Sequence, residues 1–253
     1  MSGRLTVIGL GPGDPRFLTP EAAEELGRAE FLFGYGPYLD RVALRPDQTR
    51  LASDNREEGA RARAALEKAV AGAQVAMVSG GDPGVFAMAA AVCEQVESGP
   101  EAWRRLEIRI VPGVTAMLAV AAAAGAPLGH DFCAISLSDN LKPWEIVEKR
   151  LDAAASAGFV IALYNPISRA RPWQLGAAFE RLRAHLPAET PVIFGRAVGR
   201  DDESIVIRPL AEADPTLADM ATLVMIGSPE TRIIERGELP PLVYSPRFFG
   251  AKP

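Results

Sequence analysis

Val78-Ser79-Gly80-Gly81-Asp82-Pro83-Gly84-Val85-Phe86 is the stretch on which the reading of this chain turns. An apolar run, Val75-Ala76-Met77-Val78, breaks off in Ser-Gly-Gly-Asp-Pro-Gly, and a second apolar, Ala-rich segment follows. That order predicts a strand, a tight loop and a helix from about Val85 to Glu97. The glycines permit positive φ and close backbone approach to a ligand. Pro83 fixes its own φ and ends regular pairing there. Asp82 is the lone carboxylate in a loop otherwise made of backbone. Such a loop suits a ligand held by N–H and C=O groups at the carboxyl edge of a sheet. A tight turn without a ligand fits the same residues, so the neighbouring loops must decide.

Working outward, Leu5-Thr6-Val7-Ile8-Gly9 reads as a short strand and Gly9-Leu10-Gly11-Pro12-Gly13-Asp14-Pro15 as a rigid loop. Thr19-Pro20-Glu21 has the form of an N-cap, a first-turn proline and a first-turn acid, which starts a helix running to about Ala29. Phe31 to Gly34 is the next strand, and Tyr35-Gly36-Pro37-Tyr38 a loop with two phenols. Asn55 to Ala71 reads as an amphipathic helix, with Asn55 and Glu58 in capping-box spacing. Gln74 to Ser79 and Glu107 to Val111 are strands, the latter ending in Pro112-Gly113-Val114-Thr115-Ala116. Strands alternating with helices at this spacing predict an α/β domain with a largely parallel sheet.

Gly125-Ala126-Pro127-Leu128-Gly129 reads as the hinge between residues 1–124 and a second α/β domain, residues 125–253. There, Phe132–Leu137, Phe159–Tyr164, 192–197, 204–208 and 222–226 read as strands, and 143–157 and 172–185 as helices. The run of consecutive strands predicts a mixed sheet.

Composition bounds the chemistry. The chain has 253 residues, 48% hydrophobic and 23% charged, enough for a sizeable core without staples. A net charge of −5 and a pI near 5.3 argue against nucleic-acid binding, which relies on a basic surface. The cysteines are Cys93 and Cys133 and the histidines His130 and His185, so no metal centre is expected. The thiols read as core residues in a reducing compartment. The apolar run from Ile110 to Gly129 is broken by Pro112, Gly113, Gly125 and Pro127, so no membrane span is expected. The start of the chain runs straight into a strand pattern, which predicts a cytoplasmic protein.

Gly9-x-Gly11-x-Gly13 is not a dinucleotide fingerprint. Its third glycine comes one residue early, and no helix opens from the loop. Asp14 would put a carboxylate where a pyrophosphate needs donors, and Glu30 follows too soon to bind a ribose. Two further loops of this type close strands of the second half: Tyr164-Asn165-Pro166-Ile167-Ser168 and Gly195-Arg196-Ala197-Val198-Gly199-Arg200. Five such loops at regular spacing are far more specific than one.

The loops Gly9 to Pro15, Ser79 to Phe86 and Pro112 to Ala116 resemble the signature loops of the tetrapyrrole methyltransferases, over nearly the whole chain. Within that family, Ser136 to Glu145 and Leu163 to Gln174 are similar to the precorrin-3B C17-methyltransferases of cobalamin biosynthesis. Gly195 to Arg200 departs somewhat from that pattern. The resemblance implies two α/β domains with a cofactor cleft between them, not a dinucleotide-binding Rossmann fold. It implies S-adenosylmethionine as cofactor, a homodimer, and methylation at C17 with ring contraction to precorrin-4. The cobalt-complexed substrate of the anaerobic route, a sibling enzyme acting at another ring carbon and a non-catalytic S-adenosylmethionine sensor remain as alternatives.

By the same resemblance Pro12, Gly80, Gly81, Asp82, Val85, Phe86, Thr115, Ala116, Tyr164, Asn165 and Ala197 hold the cofactor. A tetrapyrrole polycarboxylate needs local cations on an acidic protein. Lys142, Arg169, Arg171 and Arg196, with Ser138 and Asp139 beside them, are the substrate-binding candidates, since arginine suits bidentate carboxylate binding. Ring contraction moves protons, for which Asp14, Asp82 and Tyr35 are the catalytic candidates. Asp14 leads, although an aspartate in such a turn also caps loop amides.

Overall fold

In a computed structural model, which describes residues 3–43, 45–54 and 57–248, the apolar runs of the first half pair side by side into one sheet. The chain divides into two units, Met1–Ala116 and Met117–Pro253. The division falls one helix before the boundary read at residue 125. Val120 of that helix belongs with the second unit: a Cβ on Gly195 would lie 2.3 Å from one of its methyls.

The first unit runs β1 (Arg4–Gly9), α1 (Pro20–Arg28), β2 (Phe31–Tyr35), α2 (Gly36–Leu39), β3 (Thr49–Ser53), α3 (Glu58–Val70), β4 (Gln74–Ser79), α4 (Met88–Ser98), α5 (Glu101–Arg104) and β5 (Glu107–Val111). The strands lie in the order β3-β2-β4-β1-β5, all parallel. Alternate residues face opposite sides. Leu5, Val7, Val75 and Met77 meet Ala62, Leu66 and Val92 on one face, while Ile8, Leu32, Ala76 and Val78 meet Ala22, Leu26 and Leu39 on the other. Burial on both faces explains why β4 reads as unbroken apolar sequence.

Helix α1 starts as its sequence predicts, with Thr19 Oγ1 accepting the Ala22 amide at 3.1 Å and Pro20 in the first turn. Its Glu25 is buried and takes Arg4, Arg28 and Arg109 as partners, which ties the helix to the amino end of the sheet. Three expectations are corrected. Tyr35–Tyr38 is not an open loop, because Gly36–Leu39 closes one helical turn. Helix α4 begins at Met88 and not at Val85, since Phe86 has φ +51° and interrupts any helix there. Cys93 is exposed and not a core residue. The Asn55 cap lies outside the described residues.

The second unit holds α6 (Ala116–Ala124), whose first residue closes the first unit, then β6 (Gly125–Ala126), β7 (Phe132–Ser136), α7 (Trp144–Ser156), β8 (Val160–Tyr164), α8 (Gln174–Arg183), β9 (Pro191–Arg196), β10 (Ser204–Pro209), β11 (Thr222–Ile226), β12 (Arg232–Arg236) and β13 (Leu239–Tyr244). Its main sheet, β10-β9-β11-β8-β7, is mixed: only β7 and β8 pair in parallel. Leu151, Ala154, Leu175, Phe179 and Leu182 from α7 and α8 cover it. The sequence reading placed a hinge at Gly125, but Gly125 and Ala126 instead pair with Val243 and Tyr244 in a small second sheet.

Candidate active site

Parallel strands share a carboxyl edge, so the loops after β4, β1 and β5, three adjacent strands, emerge together. These are the three Gly/Pro loops singled out in the first half of the chain. Gly11 and Gly81 exchange backbone bonds, Gly11 N to Gly81 O at 3.1 Å and Gly81 N to Gly11 O at 2.9 Å. The backbones approach too closely for side chains. A Cβ on Gly113 would lie 2.3 Å from the Gly81 carbonyl oxygen, and one on Gly9 would lie 2.8 Å from Gly113 N. Gly81 itself has φ +66°, which only glycine adopts without strain.

Asp82 joins two of the loops. Its Oδ1 accepts the Gly84 amide at 2.8 Å and its Oδ2 the Gly113 amide at 3.0 Å. Both oxygens are therefore engaged by backbone donors, which makes Asp82 a positioning residue. Arg41, which the sequence reading missed, braces the first loop: its Nη2 donates to the carbonyls of Leu10 at 2.9 Å and Gly11 at 2.8 Å. Nothing in the local sequence marks that arginine, because the contact crosses thirty residues. Tyr38 packs under Gly80, where a Cβ would sit 2.7 Å from its ring. Tyr35 meets Tyr38 edge to face at 5.5 Å, which brings its phenol to the same edge. Pro12, Val85, Thr115 and Ala116 lie on the three loops themselves.

Asp14 has a different occupation. It caps a 3-10 turn over Pro15–Phe17, accepting the Arg16 amide at 2.7 Å, and also accepts Arg16 Nε at 3.0 Å. The Arg16 side-chain hydrogen bond holds its carboxyl below the usual carboxylate range. An ionised, capped carboxylate is a weak base.

In the second unit, β8 and β7 end side by side, and β9 ends at the same edge with β11 between it and β8. Tyr164 Oη accepts the Met117 amide at 3.1 Å, at the start of α6. Asn165 Nδ2 donates to Ser136 Oγ at 3.0 Å. Lys142 folds back so that Nζ donates to the Ser136 and Ser138 carbonyls, both at 2.9 Å. Burial first, then repulsion from Arg150 and Arg171, makes that ammonium easier to deprotonate than an ordinary lysine. Asp139 Oδ2 accepts Gln174 Nε2 at 3.1 Å, and Arg171 Nη1 donates to the Asn165 carbonyl at 3.3 Å. Arg169 sits exposed in the turn between them. Arg196 has acidic partners of its own. Its guanidinium pairs with Asp202 of the β9–β10 turn at 2.7 Å and with Asp219, ahead of β11, at 2.8 Å.

Three residues other than glycine have positive φ among the described residues: Phe86 at 51°, Asn165 at 51° and Ala197 at 49°. Each costs of order 1–3 kcal/mol, and such strain persists where a site requires it. All three are residues that the resemblance assigns to the cofactor. Phe86 also leaves 52% of its surface exposed.

Comparison with known proteins identifies the family. Residues 4–214 match the family model of the Tetrapyrrole (Corrin/Porphyrin) Methylases. A precorrin-3B C(17)-methyltransferase from Sinorhizobium sp is 68% identical over 249 residues, which is 98% of each chain. A probable cobalt-factor III C(17)-methyltransferase from Salmonella typhimurium is 43% identical, over 90% of this chain and 94% of that one. The crystal structure of the methyltransferase CobJ superposes with a TM-score of 0.92 at 51% identity, over 97% of this chain and 100% of that chain. With its first sheet parallel and ordered unlike the dinucleotide-binding folds, this chain belongs to the tetrapyrrole (corrin/porphyrin) methylases.

Proposed function

We propose that this protein transfers the methyl group of S-adenosylmethionine to C17 of precorrin-3B, with contraction of the macrocycle to precorrin-4, in cobalamin biosynthesis. The observation that carries the proposal is the 68% identity over 98% of both chains with the Sinorhizobium precorrin-3B C(17)-methyltransferase. The family alone would leave the ring carbon open.

The first unit's loops fit such a cofactor. Glycine loops without side chains let a ligand approach the backbone closely, and the exposed, strained Phe86 offers an apolar face. S-adenosylmethionine supplies, when bound, a methyl carbon already made electrophilic by its sulfonium sulfur. The chain's own residues then have mainly to orient. Gly80, Gly81, Val85, Phe86, Thr115 and Ala116, with Pro12, hold the cofactor, and Asp82 keeps their loops in register. Tyr164, Asn165 and Ala197 supply the adenine contacts. Orientation of this kind is worth up to roughly 7–11 kcal/mol.

Ring contraction also moves protons. Of the three candidates, Asp82 is engaged by two amides and Asp14 by Arg16, so the Tyr35 phenol is the group we assign to proton transfer. Lys142, Arg169 and Arg171, with Ser138 and Asp139, receive the peripheral carboxylates. A homodimer in the cytoplasm is the state in which we place the enzyme, on the family resemblance.

The test is anaerobic incubation with methyl-labelled S-adenosylmethionine and, in parallel, precorrin-3B and its cobalt-complexed counterpart, read by mass and absorbance. Label in precorrin-3B with a shifted chromophore is the expected result. The 43% identity with the Salmonella protein favours a second reading, turnover of the cobalt complex alone, and that outcome would replace the first.

A further inference from the structure

Two segments of the second unit, residues 138–145 and 165–174, are fastened across one another. Asp139 Oδ2 accepts Gln174 Nε2 at 3.1 Å, and Trp144 meets Trp173 edge to face at 4.9 Å. Two cations near enough to repel each other accompany these contacts, Lys142 and Arg171. Lys142 is tethered by the Ser136 and Ser138 carbonyls, and Arg171 by the Asn165 carbonyl. Ser136 and Tyr164 are register partners in β7 and β8, so both tethers hang from the ends of neighbouring strands.

Each cation is held by carbonyl oxygens. Neither forms a salt bridge among the described residues, and Asp139, the acid beside Lys142, already accepts from Gln174. Lys142 feels Arg150 and Arg171 as well as the Asp139 carboxylate, so cations outnumber acids around it, and such an excess attracts an anion. Beside them the indole of Trp173 leaves 49% of its surface in solvent, and Leu141 leaves 98%. Trp144 is the inner partner, packed on the core of the unit, so Trp173 is braced from behind and open in front.

We propose that this bracket is the docking point of the tetrapyrrole: a peripheral carboxylate of the macrocycle lies between Lys142 and Arg171, and the ring system packs on the open side of Trp173. The inference rests on the polycarboxylate substrate of the proposed function and adds an aromatic contact to it. A carboxylate accepts two charge-assisted bonds there, one of them from a guanidinium suited to its shape. The indole supplies a large apolar surface at little entropic cost. Asp139, Gln174 and Trp144 are positioning residues that hold the two segments at the right separation. Charge and aromatic surface together favour a compact macrocyclic polyanion over an acidic protein surface, whose docking would need apolar cover over a wider area.

The test compares Arg171→Ala, Trp173→Leu and the milder Arg171→Lys and Trp173→Phe with the wild type. Steady-state kinetics with precorrin-3B, S-adenosylmethionine affinity by calorimetry and urea midpoints are measured on each. The expected result is a rise of about tenfold in KM for the tetrapyrrole in Arg171→Ala and Trp173→Leu. Their kcat stays within about threefold, and S-adenosylmethionine affinity and urea midpoints stay at the wild-type values. Arg171→Lys recovers part of the loss, and added salt raises KM less in Arg171→Ala than in the wild type. Quenching of tryptophan emission by uroporphyrin III, a stable octacarboxylate, gives a second readout, weakened in Trp173→Leu.

Unchanged KM in all four variants with normal wild-type turnover overturns the bracket and leaves the reaction intact. Wild-type protein that moves no methyl to precorrin-3B, yet binds uroporphyrin III in a Trp173- and Arg171-dependent way, overturns the reaction and keeps the bracket. Uroporphyrin binding indifferent to both residues overturns the bracket in that case also.

Discussion

Replacing Asp82 tests whether one carboxylate holds together the loops to which we assign the cofactor. Its Oδ1 takes the Gly84 amide at 2.8 Å in an exposed setting, and its Oδ2 takes the Gly113 amide at 3.0 Å in a half-buried one. Hydrogen bonds to charged groups contribute roughly 1.5–3 kcal/mol when shielded, and less in solvent. We assign about 0.5 kcal/mol to the Gly84 bond and about 1.5 kcal/mol to the Gly113 bond, so Asp82→Ala costs about 2 kcal/mol. Asp82→Asn keeps one acceptor oxygen and turns its amide nitrogen toward the other donor, for a loss of about 1 kcal/mol. With a urea dependence of about 2 kcal/mol per molar, the alanine variant moves the unfolding midpoint down by about 1 M and the asparagine variant by about half that. Calorimetry on the same variants reports S-adenosylmethionine affinity, which falls by about tenfold in Asp82→Ala, because the loops lose the register that binding needs. An alanine variant with both the wild-type midpoint and the wild-type affinity would show that glycine packing alone sets the loops, and the reasoning would fail.

Gly113→Ala drives a Cβ to 2.3 Å from the Gly81 carbonyl oxygen, a backbone atom that cannot rotate away. We expect a loss of about 1–3 kcal/mol by urea unfolding, with cofactor binding reduced further than stability. Tyr35→Phe should lower kcat by about a hundredfold while S-adenosylmethionine affinity holds, and single-turnover kinetics will show whether the loss lies in chemistry. Asp152 is held below its ordinary value of 3.8, chiefly by the Arg181 side-chain hydrogen bond. A depressed folded-state value stabilises above 3.8, and the contribution fades as pH falls through the folded value, because the unfolded chain binds the proton first. In Arg181→Met the larger part of that contribution is missing and the His185 hydrogen bond to Asp152 remains, so urea midpoints of variant and wild type should differ near neutral pH and converge in acid. A constant offset across the range would rule against Asp152 as the linked group.

The loops were legible in the sequence because glycine and proline mark strand ends, and because a buried parallel sheet writes its strands as continuous apolar runs such as Val75–Val78. Strand β3 was not, since Thr-Arg-Leu-Ala-Ser lies at a sheet edge with little to bury. The β12–β13 ribbon was missed for a similar reason: every residue of β12 is exposed, and two prolines interrupt β13. Among site residues, the backbone-binding loops could be read locally, whereas the arginines could not. Arg196 and Arg171 look alike in sequence, yet one is tied up by Asp202 and Asp219 and the other only by a carbonyl. Asp14 likewise could be read as an acid or a cap, and only the position of Arg16 separates the two. Trp144, Trp173 and Gln174 gain meaning from contacts across two segments, which no local pattern encodes.

The left-handed backbone at Phe86, Asn165 and Ala197 has a practical side. An engineer seeking a more heat-tolerant enzyme, ranking positions by relief of torsional energy, would install glycine at these three places first. At Ala197 the exchange removes one methyl group and should raise the melting temperature of the ligand-free protein. At Phe86 it would also erase the ring. If the cofactor is what rewards those torsions, heat tolerance and cofactor affinity trade against each other at the same three codons. Library selections on thermal survival alone will then drift toward robust, inactive protein unless activity is selected in every round.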